Sequence, residues 1–433
     1  MNDCTIVIGA GIAGMAAASK LRNAGRDVLV LEASDRVGGR MISISHNGDS
    51  AEAGAQGIHT GYTETLKLIE EYGLTGDLVP QLNDQACYLD RSGQHLYPQG
   101  GVGMLKMLGW RGSFDLARYL TKYMILAKKF SLYETHRDIP EYDNVSIADA
   151  LKWAGDDFRD FMLLPGAHAM VGSDLEHTNL YHFMNLMKLV LTTKVMTLRG
   201  GNASLPQKIA STLDVRLNSP VKQLSFQQGK VSGVELESGE HISAKHIIVA
   251  CPIGAAAKLV PEQLVPTSNF LTSFKNIPLS LVYFFLDRPY DTKAYAYMGH
   301  AYRKTTFNMA LNHTVKTPHS VPSGKGLISA WPCYPDSGVI DKKSDDEVIS
   351  KALKDLDIFF PGMEGMIAET RVQRHRWGLG RISPGMHAKI ITFKKQVEDL
   401  RGVSFANSDY DGVHMESGVR SGLRAAGRVI GGY

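Results

Sequence analysis

The sequence predicts an α/β fold in which a parallel-sheet, nucleotide-binding unit is interleaved with a second unit of mixed helices and strands. Three observations predict it. Residues 5–32 read as strand, helix, strand, the order of a βαβ unit. A second buried-strand run, His246 to Cys251, returns far downstream and stops at Pro252. Between and beyond these, helical periodicity (Ser113 to Phe130, Ser146 to Leu164) gives way to strand-like runs such as Leu279 to Tyr290 and Gly326 to Trp331.

The first unit is read element by element. Thr5 to Ile8 is a β-branched run ending at Gly9, Gly11 to Ala24 is rich in Ala, Leu and Met, and Gly25 stops that helix. Asp27 to Leu31 is the second strand, closed by Glu32. Gly9, Gly11 and Gly14 form G-x-G-x-x-G between strand and helix. The first glycine permits the tight turn, the second lets backbone approach a pyrophosphate, and the third lets helix and strand pack closely. The helix start, Ile12 and Ala13 included, offers free N–H groups and partial positive charge to phosphate. Glu32, with Ala33 beside it, lies where an acid accepts hydrogen bonds from a ribose diol.

Composition narrows the class. The chain has 433 residues, 44% hydrophobic and 21% charged, with a formal net charge of +3. That suits a globular enzyme with a large core and gives no basic footprint for nucleic acid. Cys4, Cys87, Cys251 and Cys333 are scattered, so neither a disulfide framework nor a metal site is expected, and a reducing, cytoplasmic setting fits them. No basic leader precedes the first strand. The most apolar stretch, Phe183 to Leu198, is interrupted by Lys188 and Lys194 and reads as one amphipathic or buried helix, so membrane contact is not expected. Ser146 reads as an N-cap with Asp149 three residues on, and Pro165-Gly166 as a helix break. Ser344 to Gly362 contains an amphipathic helix with an acidic start.

After the second strand comes Asp35-Arg36-Val37-Gly38-Gly39-Arg40, an acid followed by R-x-G-G-R. Here the sequence resembles the flavin amine oxidase, protoporphyrinogen oxidase and carotenoid desaturase superfamily. The resemblance runs the length of the chain, strongest over residues 5–60 and 403–430. It implies a Rossmann-like FAD-binding domain of the glutathione-reductase type (residues 1–80, 199–260 and 395–433) interleaved with an α+β substrate-binding domain (81–198 and 261–394). It implies non-covalent FAD, with Gly38 and Gly39 passing close to the cofactor and Arg36 and Arg40 near its phosphates; a guanidinium pairs bidentately with phosphate oxygens. Glu52, Gly54, Gln56 and Gly57 match the segment running past the flavin ring, and Val221 matches a valine near the adenine. Asp409 matches an acid bonded to the ribityl or phosphate portion. Met415 opens the last helix, whose N-terminus stabilises charge on the flavin pyrimidine.

The same resemblance exposes departures. Amine oxidases frame the substrate nitrogen with two aromatic rings; this chain has Val413-His414 at one position and Trp377, without a tyrosine, near the other. The lysine opposite flavin N5 is missing from Leu279 to Leu286, and a tethering cysteine is missing near Trp377. His414 is the candidate base or substrate hydrogen-bond partner, and Trp377 a candidate pocket wall. The expectation is an FAD-dependent oxidoreductase taking a hydride from a C–N or C–C bond of a small, largely apolar substrate, with dioxygen or another molecule accepting electrons. Alternatives are an isoprenoid or tetrapyrrole desaturase, or a flavin-dependent sugar-nucleotide mutase. Assembly as a homo-oligomer is left open.

Overall fold

Five parallel strands carry the nucleotide-binding unit in this computed structural model, which describes residues 4–125, 132–133, 142–261, 270–398 and 400–432. They are β1 (Thr5–Ile8), β2 (Val28–Leu31), β3 (Asp214–Arg216), β4 (His246–Val249) and β5 (Val403–Phe405), in the spatial order β3-β2-β1-β4-β5. Their central residues, among them Ile6, Val7, Val30, Ile247 and Ile248, are wholly buried, as strands covered on both faces require. One sheet thus draws on three stretches of sequence far apart. Helix α1 (Ile12–Asn23) follows β1 and ends where Gly25 takes a φ of 71°, with Arg26 N–H returning to Leu21 O at 3.0 Å.

A seven-stranded sheet forms the second unit. Its order is Ile367–Gly380, Asn276–Leu286, Gly326–Pro332, Phe307–Asn312, Ala296–Met298, Ala86–Leu89 and His95–Leu96, antiparallel except between Ala296–Met298 and Ala86–Leu89. The long pair Asn276–Leu286 and Ile367–Gly380 shifts register at Ile277/Leu279 and at Phe285/Leu286, and ends with Asn276 opposite Gly380. Helices α2 (Thr63–Glu71) and α4 (Met415–Ile430) share a buried core with α1, and α3 (Leu180–Thr192) packs mainly against Phe158, Ala167 and Val171. Gly418 and Gly422 seat α4 on α1: a Cβ on Gly422 would stand 2.1 Å from Ala13 O, and one on Gly418 3.1 Å from Ile12 Cγ2.

Three sequence readings need correction. The apolar stretch expected as one helix to Leu198 stops at Thr192, and Val195–Leu198 is a strand between Ile58–His59 and Leu78–Pro80. The β-branched Thr192, Thr193 and Val195 favour that switch. Pro165 does not break a helix; it sits in the first turn of Leu164–Val171, where the missing N–H costs little. The helix read from Ser113 begins at Gly100 instead and kinks at Gly109, φ 65°; residues 126–130 of that reading lie outside the described residues. Ser146 does cap its helix, accepting from Asp149 N at 3.0 Å, and Ser344 forms a capping box with Glu347. No helix among the described residues is long and apolar enough to cross a membrane.

Candidate active site

The glycine turn after β1 is built by contact. Gly9 has a φ of 105°, and its missing Cβ would crowd Cys251 N at 3.0 Å. A Cβ on Gly14 would stand 2.0 Å from Gly9 O, so α1 and the turn approach as only glycine allows. Gly11 differs: a Cβ there meets no protein atom within 4 Å. It caps α1 with no side-chain hydrogen bond, so the first-turn N–H groups of Ile12, Ala13 and Gly14 have no side-chain acceptor. Glu32 is held in place by Ala10 N at 2.7 Å and by the Ser34 N–H and hydroxyl at 3.0 and 2.8 Å, beside exposed Ala33. Ser219 N–H bonds Glu32 O at 2.8 Å, bringing the start of the Val221 strand to the same edge. A cradle of free N–H groups, an open glycine face and an oriented carboxylate fits a dinucleotide.

The second glycine pair locks onto the first. Gly38 N–H donates to Ala10 O at 2.8 Å, and Gly39, φ 55°, lies so close to Gly11 that a Cβ would be 3.2 Å from its Cα. Arg36 turns back to Gly39 O at 3.1 Å. Arg40 reaches across the molecule: it donates to Asp409 Oδ1 at 2.9 Å, Asn407 Oδ1 at 3.0 Å, Ser408 Oγ at 2.7 Å and Gly378 O at 3.3 Å. Arg40, expected at the pyrophosphate, and Asp409, expected at the ribityl or phosphate portion, are therefore brought together as an ion pair. Asn407 and Ser408, not singled out from sequence, complete that hub; they were legible as the polar run before Asp409.

The segment expected beside the flavin ring turns its side chains inward. Gln56 donates to Glu52 O at 2.8 Å and Gly54 O at 3.1 Å, and accepts from Lys316 Nζ at 2.7 Å. A Cβ on Gly57 would collide with Val195 Cγ1 at 2.2 Å. Glu52 is buried, and desolvation raises its carboxyl to about 7 despite bonds from Asn202 N and the Ser43 hydroxyl. Lys316 is also buried, and burial lowers it to about 8. No sequence signal marked this lysine, because its neighbours Gln56 and Glu52 lie some 260 positions away.

At the C-terminal helix, Met415 is the first buried residue of α4 and His414 is its N-cap. His414 does not cap with its ring; Nδ1 pairs with the Ser417 hydroxyl at 2.6 Å, and the ring sits 6.0 Å from Tyr62 and 5.5 Å from Tyr133. Burial, with His182 and His59 nearby, lowers it to about 3, so it is a neutral imidazole at ordinary pH. Glu416, wholly buried, caps α2 instead, accepting from Glu64 N at 2.9 Å and Thr65 N at 2.8 Å, and so joins α4 to α2. Trp377 lies against Gly254 and lines a cleft with Lys258, Phe274, Lys275 and Arg376. His414 is not among the residues lining that cleft.

Comparison with known proteins identifies the family. The family model described as flavin containing amine oxidoreductase matches residues 12–430. The chain is 28% identical over 290 residues to putrescine oxidase of Kocuria rosea, a match covering 60% of this chain and 59% of that one. It is 23% identical over 473 aligned positions to coproporphyrinogen III oxidase of Bacillus subtilis (strain 168), covering 98% and 97%. The chain spans about three fifths of the length of the putrescine oxidase and nearly all of the Bacillus protein. Cyclohexylamine oxidase from Brevibacterium oxydans IH-35A superposes with a TM-score of 0.78 at 19% identity, covering 100% of this chain and 99% of that one, and so shares the fold. The chain belongs to the flavin-containing amine oxidoreductase family.

Proposed function

We propose that the protein is an FAD-dependent oxidoreductase that removes a hydride from a C–N or C–C bond of a small, largely apolar substrate, electrons passing on to dioxygen or another acceptor. The observation that carries this reading is the cradle at the start of α1, closed by Gly38-Gly39 and by Arg40 on Asp409, in a chain matched by the family over residues 12–430. FAD supplies the redox chemistry when bound. Gly11 and the first-turn N–H groups of α1 would hold the pyrophosphate and Glu32 the ribose. Arg40, Asp409 and the start of α4 would hold the remainder. The chain's further tasks are to orient the substrate and exclude water. His414, neutral and bonded to Ser417, is suited to accept or donate one hydrogen bond and not to store a proton.

Non-covalent binding is supported by the thiols. No cysteine lies between Val372 and Met386, and burial raises Cys251 to about 12 and Cys87 to about 11, so neither is a reactive thiolate. A second reading, oxidation of a tetrapyrrole, is favoured by the match to the Bacillus coproporphyrinogen III oxidase along almost the whole of both chains. Purified protein is expected to be yellow and to release FAD into the supernatant on acid precipitation. Colourless protein that takes up no FAD overturns the cofactor reading, and flavin that stays with the pellet overturns non-covalent binding. Anaerobic bleaching by amines, or by a reduced porphyrin, separates the two substrate readings.

A further inference from the structure

We propose that the protein docks on the surface of a membrane containing anionic phospholipid, and that the outward face of the helix Gly100–Tyr119 and its continuation Leu120–Met124 is the docking surface. The observation is a row of large apolar side chains left in water. Trp110 is 78% exposed, Phe114 66% and Ile125 58%. Val102, 69% exposed, and Leu105 precede them on the other side of the kink at Gly109. Tryptophan is a largely buried residue in folded proteins, and contiguous exposed apolar surface marks a place of contact. The tyrosines of the same stretch, Tyr119 and Tyr123, are buried, so the helix has an inner side and an outer one.

The spacing shows that the exposed residues form a face. On the inner side, Tyr119 packs on Phe158 with ring centroids 5.8 Å apart, and the Tyr123 hydroxyl donates to Ala150 O at 3.3 Å. Gly112 is buried there too, and a Cβ on it would stand 3.3 Å from Asp157 Cβ. Trp110, Phe114 and Ala117, at i, i+4 and i+7, are exposed on the opposite side. Arg111 and Arg118, seven apart, and Lys122, four further on, are exposed beside them. The Arg111 guanidinium lies over the Trp110 ring at 5.1 Å, which ties the two rows together. The inner side holds the helix on the protein, and the outer side carries an apolar row next to a basic one.

Charge decides what covers that face. Asp115 is the one acid from Gly100 to Ile125, and it accepts from Gly155 N at 2.8 Å. Asp157, beside the helix, is paired with Arg91 at 2.7 Å. Lys106, Arg111 and Lys122 are exposed and make no ion pair among the described residues. A second copy seated two-fold on the same face would bring the same basic row to the contact, with no acid to answer it. A layer of anionic headgroups answers it, while the apolar row enters the acyl boundary beneath. Tryptophan favours that boundary, and the long stems of Arg and Lys let their charged ends stay among the headgroups. The contact is with the surface, since no helix among the described residues is long and apolar enough to cross. The expectation of no membrane contact rests on Phe183 to Leu198; this face belongs to a different helix, whose outer side is defined only once its buried side is known.

Flotation of the full-length protein with vesicles tests the proposal, whether or not flavin is bound. Vesicles of mixed phosphatidylglycerol and phosphatidylcholine are expected to carry at least about tenfold more protein than vesicles of phosphatidylcholine alone, and high salt is expected to reduce that excess. Trp110→Ser combined with Phe114→Ser is expected to lower binding to the mixed vesicles by about tenfold or more, with the unfolding midpoint unchanged because both side chains are exposed. Arg111→Glu combined with Lys122→Glu is expected to abolish the preference for anionic vesicles, and it reports separately if the first pair does not fold. No flotation with either vesicle, equal flotation with both, or wild-type flotation by both double variants each overturns the proposal. So does a wild-type dimer that does not float and that Trp110→Ser with Phe114→Ser converts to a monomer, since a second copy would then cover the face.

Discussion

Two regions of the molecule solve the problem of buried polar groups in opposite ways. Around the glycine turns, each polar group is paired within the protein: Glu32 with Ala10 and Ser34, Gly38 with Ala10, Arg40 with Asp409, Asn407 and Ser408. What stays open there is backbone N–H at a helix start and a glycine face without a Cβ. Where Ser173 and His182 line a small cavity, their side-chain polar atoms are buried without a hydrogen-bond partner among the described residues. A cofactor used by many proteins is met by backbone, which any sequence with the right glycines can supply. Buried side-chain atoms without a partner cost stability.

Substitutions can break that comparison at its strongest point. Gly14→Val places a side chain 2.0 Å from the Gly9 carbonyl, and a loss of at least about 3 kcal/mol with failure to retain flavin is expected. Gly11→Ala meets no protein atom, so it is expected to leave the unfolding midpoint of flavin-free protein unchanged while weakening flavin binding. Unfolding curves and the flavin-to-protein ratio check both, and equal behaviour of the two variants would refute the cradle. Next in size, Arg40→Ala leaves Asp409 buried without its cation, at about 3–5 kcal/mol. If urea unfolding of that variant matches the wild type, the Arg40 hub is not what joins the termini.

A smaller effect concerns Glu52. Its carboxyl is raised to about 7 in the folded protein, so the folded state binds more protons than the unfolded between the ordinary carboxylate range and neutrality. Its contribution is therefore present at acid pH and declines as pH rises to about 7, by up to about 3 kcal/mol. Glu52→Gln is expected to remove that decline while keeping acceptors for Asn202 and Ser43. Urea midpoints on both sides of that interval test it; parallel pH profiles for the two proteins would place the titration elsewhere.

The cradle was legible because its chemistry is local. Gly9, Gly11, Gly14 and Glu32 lie within one βαβ unit, and each has a steric or hydrogen-bonding reason readable from its neighbours in sequence. Periodicity also found the caps at Ser146 and Ser344. It failed at Thr192, where strand partners at Ile58 and Leu78 captured an apolar run that looked helical. The resemblance supplied Asp409 and Met415, and it drew attention to Trp377 and His414. It gave no hint that Ser173 and His182 would be buried without hydrogen-bond partners among the described residues.

By itself, then, the sequence determined the βαβ unit, its glycine turns and the family. Those follow from backbone sterics, which act over a few residues. The tertiary structure decided the pairing of Arg40 with Asp409, the meeting of Lys316 with Gln56, and the gathering of Ser173, His182 and Arg381 at one cavity. Desolvation and charge balance depend on what surrounds a side chain in space, and the neighbours that decide them here lie from nine to several hundred residues away along the chain.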